Sequence, residues 1–218
     1  MKRERRSIRP KAVAQQDEPA GEEDGLLLQA EDGPAAGPGN PRIITITGVI
    51  DSETVEKVAA QLAFLNMESP LPIMVQISSS GGGVIAGWAL HEMFVTNPSP
   101  IITVGYGYVG SAATIAFQGG IRRLLTSNTT LMIHEVSLTL GEDTTLDSRD
   151  LRKQGKEMAT LQRAIERLFV RRTGLSRAKI KALCKEETEF TAVRAVNAGF
   201  ADNVVRGRRM PPPRNRAR

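Results

Sequence analysis

Ser111 and His134 are the two side chains of this chain best suited to do covalent chemistry together, and 23 positions separate them. A serine hydroxyl becomes a useful nucleophile only when a base removes its proton, and the base works best when a third group orients it. His134 closes the apolar run Leu131-Met132-Ile133, which predicts a strand, and in parallel α/β folds reacting groups collect at the C-terminal ends of strands. Around Ser111, the small residues Gly110, Ala112 and Ala113 let a substrate backbone come close and leave amide N–H groups unshielded. A second glycine-rich stretch, Ser78 to Gly83 (SSSGGG), lies between a predicted strand and a predicted helix. The N–H groups of Gly82 and Ala112 are therefore the candidate donors to a developing oxyanion. SSSGGG also reads as a plain tight turn, and the G-x-S-x-G elbow is missing because residue 113 is alanine.

The six residues before Ser111 compete for a different chemistry. Gly105 to Gly110 (GYGYVG) match G-x-G-x-x-G, follow a β-branched run and precede a helix-like stretch, which is the setting of a dinucleotide-binding turn. That motif needs an acid about 20 residues further on to hold a ribose, yet there is no acidic residue from Phe94 to Ile133. Its position in mid-chain also speaks against it. The remaining reactive types offer little: with Cys184, His91 and His134 alone, no cluster has metal-ligand spacing and no intramolecular disulfide can form. Cys184 reads as a small buried apolar residue, and His91 as a packing or surface residue.

These groups must be positioned by strands and helices that alternate. Ile43 to Thr47 predict a strand closed by Gly48, and Asp51 offers an N-cap for a helix whose inner face is Val55, Val58, Ala59, Leu62 and Leu65. Pro72 to Ile77 predict the next strand, Val84 to Phe94 a helix, Ile101 to Val104 a strand, and SAATIAF after Gly110 a short helix. Residues 136–147 read as loop. Leu151, Met158, Leu161, Ile165 and Leu168 then trace a stripe along a long helix that stops near Gly174. The expectation is an α/β fold of right-handed β-α-β units.

The 218 residues suit one domain, with a folded body over residues 42–206. Residues 1–41 hold five of the twelve prolines and blocks of alternating charge, predicting a disordered leader; residues 207–218 predict a basic disordered tail. The net charge of +5 is carried by the ends. Residues 1–11 bring six Lys/Arg against one Glu and residues 206–218 bring six Arg and no acid, so the body is acidic, by about −6. An acidic body with solvated basic tails predicts no nucleic-acid partner. Residues 93–121 carry no charge, but Asn97, Pro98, Pro100 and five glycines make a poor lipid-facing helix, so no membrane association is expected. Asp17 and Glu18 arrive before an apolar signal core could form, and the expected location is cytoplasmic.

Five segments in order, over about residues 42–205, resemble the proteolytic subunit of the Clp protease family, the serine peptidases of the Clp/crotonase fold. ITGVIDSETVEKVAAQLAFLN resembles the family's first strand and helix, and PIMVQISSSGGGVIAGWAL its strand and I-N-S-P-G-G turn. GYVGSAATIAFQGG resembles the nucleophile segment, LMIHEV the M-I-H-Q-P segment, and FTAVRAVNAGFADNVV the closing F-(M/L)-S-A-x-E-A segment. The resemblance implies a Clp/crotonase-like spiral of β-α-β units with a protruding handle helix. It implies Ser111 as nucleophile, His134 as general base, and Gly82 and Ala112 as oxyanion-hole backbone positions. Ser80 stands where the family has proline, and Ala112 where it has methionine.

For the third member the resemblance gives two registers. Counting back from Phe190 puts Thr188 at the family's aspartate position, and counting forward from Gly174 and Ile180 puts Glu187 there. Glu189 is a third carboxylate within reach of the same count. Glu187 is the residue we carry forward, because a carboxylate both orients an imidazole and stabilises its charged form, whereas a threonine only orients it.

The resemblance further implies polypeptide substrates, an AAA+ unfoldase partner, no cofactor on the peptidase, and heptameric rings stacked as a tetradecamer through the handle. The handle region here carries Glu142, Asp143, Asp147 and Asp150 near Arg149, Arg152 and Lys153, a set that reads either as cross-ring ion pairs or as a solvated face. Two other readings compete: a catalytically impaired ring subunit in a mixed complex, and an acyl-CoA-processing crotonase relative, in whose chemistry a Ser/His pair has no role.

Overall fold

The computed structural model describes residues 42–138 and 147–206. The predicted leader and tail, and Glu142 and Asp143 of the handle region, lie outside the described residues.

The chain alternates strand and helix as its hydrophobic periods require. Strand β1 (Ile43–Ile50) buries Ile44, Ile46 and Ile50. Asp51 then caps helix α1 (Ser52–Glu68), accepting from the Thr54 N–H at 2.9 Å, and Val58, Leu62 and Leu65 form its inner face. Strand β2 (Ile73–Gly82) alternates buried Ile73, Val75, Ile77 and Ser79 with less buried neighbours. Helix α2 (Val84–Thr96) follows, then strand β3 (Ile101–Gly110), helix α3 (Ala112–Phe117) and strands β4 (Arg122–Thr126) and β5 (Thr130–Ile133). Asp147 caps the long helix α4 (Ser148–Thr173), which Gly174 ends in the left-handed region at φ 75°. Helix α5 (Arg177–Lys185), strand β6 (Thr188–Thr191), helix α6 (Ala192–Asn197) and strand β7 (Asn203–Val205) complete the described fold.

The strands form one sheet in the order β1-β2-β3-β4-β7, every pair parallel. The sheet forks at β3: residues 102–105 pair with β4, and residues 108–110 pair with β5. Between these two stretches Gly107 adopts φ 66°, a conformation glycine takes at no steric cost. Strand β5 in turn pairs antiparallel with β6. The fork turns the last residues of β3 away from the main sheet and towards the strand that carries His134.

Strand β3 settles the glycine motif. It runs to Gly110, six residues beyond the predicted end at Val104, so all of Gly105 to Gly110 is strand and none of it is a phosphate-cradling turn. Strand β2 likewise extends beyond its predicted end to Gly82, so that most of SSSGGG is paired strand. The glycines serve close packing: a Cβ on Gly105 would come within 2.6 Å of Leu125 Cδ2, and one on Gly87 within 2.7 Å of the Ala112 carbonyl.

The core lies between the sheet and its helices, with Phe94, Phe117, Phe169 and Phe200 among its fully buried side chains, each contributing about 1.5–3 kcal/mol. His91 is buried with its ring edge-on to Trp88, and Cys184 is buried in the core. The uncharged stretch from Met93 to Ile121 is the end of α2, then β3 and α3. Among the described residues no helix is long and apolar enough to cross a membrane. Helix α4 is divided: residues 148–160 are exposed or half-buried, and its buried side chains, Ile165, Glu166, Leu168 and Phe169, come only in the second half. Its exposed first half is a protruding helix. Among the described residues, Asp147 spends its carboxylate on the N–H groups of Arg149 and Asp150, and neither Asp147 nor Asp150 forms an ion pair.

Candidate active site

Ser111 sits in the single residue between the end of β3 and the start of α3. Its backbone takes φ 54° and ψ −123°, an orientation that L-residues rarely adopt and that costs about 1–3 kcal/mol. Neighbours hold it there. The Ser111 N–H donates to the Met132 carbonyl at 3.0 Å, and its own carbonyl accepts from the Thr114 N–H at 2.9 Å. The Thr114 hydroxyl lies 3.0 Å from the Val109 carbonyl and 2.9 Å from that of Met132, bracing both strands that flank the serine. Space matters as much: a Cβ on Gly81 would lie 2.6 Å from Ser111 Cβ and 2.8 Å from the Gly110 carbonyl.

His134 follows the last residue of β5, and its Nε2 lies 2.7 Å from Ser111 Oγ. The two strands responsible are adjacent because β3 forks, with Gly110 directly paired to Met132. Ser111, Ala112, Gly82 and His134 border one cleft of about 50 Å³, whose apolar floor includes Val84, Ile115 and Phe169. Ala112 is the first residue of α3, so its N–H has no acceptor within the helix. Gly82 reaches the cleft with φ 147°, where a side chain would be forced into the Ile50 carbonyl. The arrangement sets a serine hydroxyl against an imidazole nitrogen, with the backbone of Gly82 and Ala112 lining the same cleft.

The structure does not bring Glu187 to the imidazole. Glu187 is exposed, has φ 51°, and donates its N–H to the Cys184 carbonyl at 3.2 Å. The left-handed φ halts the strand alternation at Thr188, so the carboxylate does not continue along β6. Thr188 donates its hydroxyl to the Leu183 carbonyl at 2.7 Å. Glu189 accepts from the Tyr108 hydroxyl at 2.9 Å; burial first and that bond second push the Tyr108 phenol up to about 12. Among the described residues, no carboxylate forms an ion pair or hydrogen bond with His134. Nor does any group of three or more His, Cys, Asp or Glu there come close enough to hold a metal ion.

Thr114 carried no signal in the sequence beyond its place in SAATIAF, since its partners are carbonyls of two different strands. It was legible only once β3 and β5 were known to be neighbours.

Known proteins resemble this chain over most of its described length. The Clp protease family model matches residues 39–208. A Clp protease proteolytic subunit 2 from Corynebacterium glutamicum is 29% identical over 167 residues, covering 75% of this chain and 81% of the relative. A proteolytic subunit 1 from Protochlamydia amoebophila is 30% identical over 171 residues, covering 75% of this chain and 80% of its own length. The solved structure of a ClpP1 mutant from Listeria monocytogenes superposes with a TM-score of 0.68 at 28% identity, over 77% of this chain and 93% of that one. The sheet, its forked β3 and the protruding α4 thus form a Clp/crotonase-like fold, and the chain belongs to the Clp protease family.

Proposed function

We propose that this chain is a serine endopeptidase, the proteolytic subunit of a Clp-type protease, and that Ser111 and His134 carry the reaction. The observation behind this reading is the 2.7 Å contact between His134 Nε2 and Ser111 Oγ beside the Gly82 and Ala112 backbone. His134 Nε2 takes the hydroxyl proton as Oγ bonds to the peptide carbonyl carbon, and the carbonyl oxygen becomes an oxyanion held by the N–H groups of Gly82 and Ala112. Collapse breaks the C–N bond, with the proton on Nε2 passing to the leaving amine. A water then repeats the sequence on the acyl-enzyme: it gives a proton to Nε2, adds to the acyl carbon, and releases the acid as the serine recovers its proton. With no carboxylate on the other imidazole nitrogen among the described residues, the relay works as a dyad, its orientation set by the protein around His134.

Substrates are unfolded polypeptides cleaved to short peptides. The relatives are named as subunits of ATP-dependent proteases, which supports a separate AAA+ ATPase as the partner that supplies chain. The same likeness supports an oligomer, which we take to be stacked rings of seven subunits joined through the protruding half of α4, in the cytoplasm.

A fluorophosphonate probe tests the nucleophile. Wild-type protein becomes labelled, and Ser111→Ala and His134→Ala lose the label; equal labelling of Ser111→Ala would overturn the assignment. That no carboxylate bonds to His134 among the described residues also favours a second reading, a ring subunit of low intrinsic activity in a mixed complex. That reading gains if purified protein assembles, takes up the probe about 10³-fold more slowly than an active serine peptidase, and cleaves no peptide.

A further inference from the structure

The loop after His134 is fastened by two bonds, one to α5 and one to α4. The Glu135 N–H donates to the Cys184 carbonyl of α5 at 3.1 Å. The next N–H, that of Val136, donates to the side-chain oxygen Oε1 of Gln162 on α4 at 3.0 Å. On the other side of His134, Ile133 is held in the β5–β6 ladder opposite Thr188. The backbone that carries the base is therefore clamped at both ends, and one jaw of the clamp is the side chain of a helix that protrudes from the domain.

Gln162 accepts this role at a cost. Its Nε2 is buried without a hydrogen-bond partner among the described residues; its neighbour there is the Cys184 sulfur, a weak acceptor. A buried, half-satisfied amide is destabilising. An aliphatic residue of the same size would suit the Cys184 side better, but could not accept from Val136. The residue also stands where α4 changes character, just before the buried set Ile165 to Phe169 and after the exposed turns of residues 148–160.

We propose that Gln162 is the positioning residue for His134. It holds Val136, and through it the imidazole, at the distance where Nε2 meets Ser111 Oγ, and so takes over part of the orienting work that a carboxylate would do. It touches neither substrate nor the reacting atoms. The proposal rests on the Ser111/His134 reading of the site.

The test compares Gln162→Met, which keeps length and apolar stem but removes the acceptor, with Gln162→Glu, which keeps an acceptor for Val136. Full-length assembled protein is assayed with a short fluorogenic peptide and with the fluorophosphonate probe, across pH. Gln162→Met is expected to lower kcat and the labelling rate by about 10- to 100-fold, with KM within about twofold because the binding cleft is untouched. Its pH–rate profile shifts relative to wild type. Gln162→Glu recovers kcat to within about fivefold of wild type, with Tm and assembly size of both variants near wild type. Wild-type kcat and pH profile in a folded Gln162→Met overturn the positioning role. So does an equal loss in both variants accompanied by a lowered Tm, which marks a purely structural side chain. Absence of labelling in wild type instead overturns the Ser111/His134 reading, and the positioning role falls with it.

Discussion

Ile133 and Thr188 face each other across the antiparallel β5–β6 pair, so the register would set His134 opposite Glu187 if β6 ran one residue further back. It does not, because Glu187 adopts φ 51° and turns out at the end of α5. The carboxylate nearest in register is thus withheld from the imidazole by one backbone dihedral, and the Ser111–His134 contact stands without it.

Glu187→Gln follows directly. Removing the orienting acid of a working triad lowers kcat by about 10⁴-fold; here the substitution is expected to leave peptide hydrolysis within about threefold of wild type, since no bond to His134 is lost. Steady-state kinetics on a short peptide decide it. A loss of 100-fold or more means that Glu187 reaches the imidazole during turnover.

Gly81 shapes the nucleophile without taking part in the chemistry. Its φ is 107°, and a Cβ there would sit 2.6 Å from Ser111 Cβ and 3.0 Å from the Ala112 nitrogen. Gly81→Ala is expected to cost more than about 1 kcal/mol of stability through the strained φ alone and to abolish fluorophosphonate labelling by displacing Ser111. Denaturant unfolding and probe labelling measure the two effects separately. A folded, normally labelled variant would show that the serine tolerates a shift.

Acid sensitivity should trace to Asp202. Burial disfavours its charged form, but the hydrogen bonds from the Arg123 side chain and N–H, with the Arg123 and Arg172 charges, outweigh that and hold the carboxyl below 3.8. A carboxyl depressed in the folded state lends stability that is present above its unfolded pKa and is lost as pH falls through the folded one. Wild-type Tm is expected to drop below about pH 4, and Asp202→Asn to flatten that limb while lowering Tm at pH 7. Because the Asp202 side chain is 40% exposed while that of Arg123 is 6% exposed, the loss at neutral pH should lie at or below the lower end of the roughly 3–5 kcal/mol typical of a broken buried pair. Thermal melts from pH 3 to 7 on both proteins provide the check; parallel curves would remove Asp202 from the account.

Cys184 should behave as an inert core group. Burial is the main cause that pushes its thiol up to about 11, and the residue is 1% exposed. Iodoacetamide at pH 8 is expected to leave folded protein unmodified and to alkylate it after denaturation, as read by intact mass. Rapid alkylation of the native protein would contradict the packing of α5 beneath the His134 loop.

The helix α1 with its Asp51 cap, the stripe of α4 and its Gly174 stop, the alternation of strand and helix, and the pair Ser111 and His134 were all legible in the sequence. Each depends on local periods, caps and spacing. Shorter elements escaped it: β4 carries two arginines, β6 is four residues long, and both owe their existence to neighbours in the sheet. The glycine stretches misled as to local structure, because a residue type that permits a turn also permits close strand packing.

The third residue was out of reach for another reason. Two countings, to Glu187 and to Thr188, agreed equally well with the sequence, and only the path of the chain after α5 shows that Thr188 is bonded to Leu183 and that Glu187 turns away. The same holds for Gln162 and Thr114, whose partners lie 26 and 18 residues distant. The sequence alone determined which residues could react, since reactivity belongs to the side chain. Tertiary structure decided what surrounds the base, since that belongs to contacts between segments that meet only when β3 forks and α4 and α5 pack against the His134 loop.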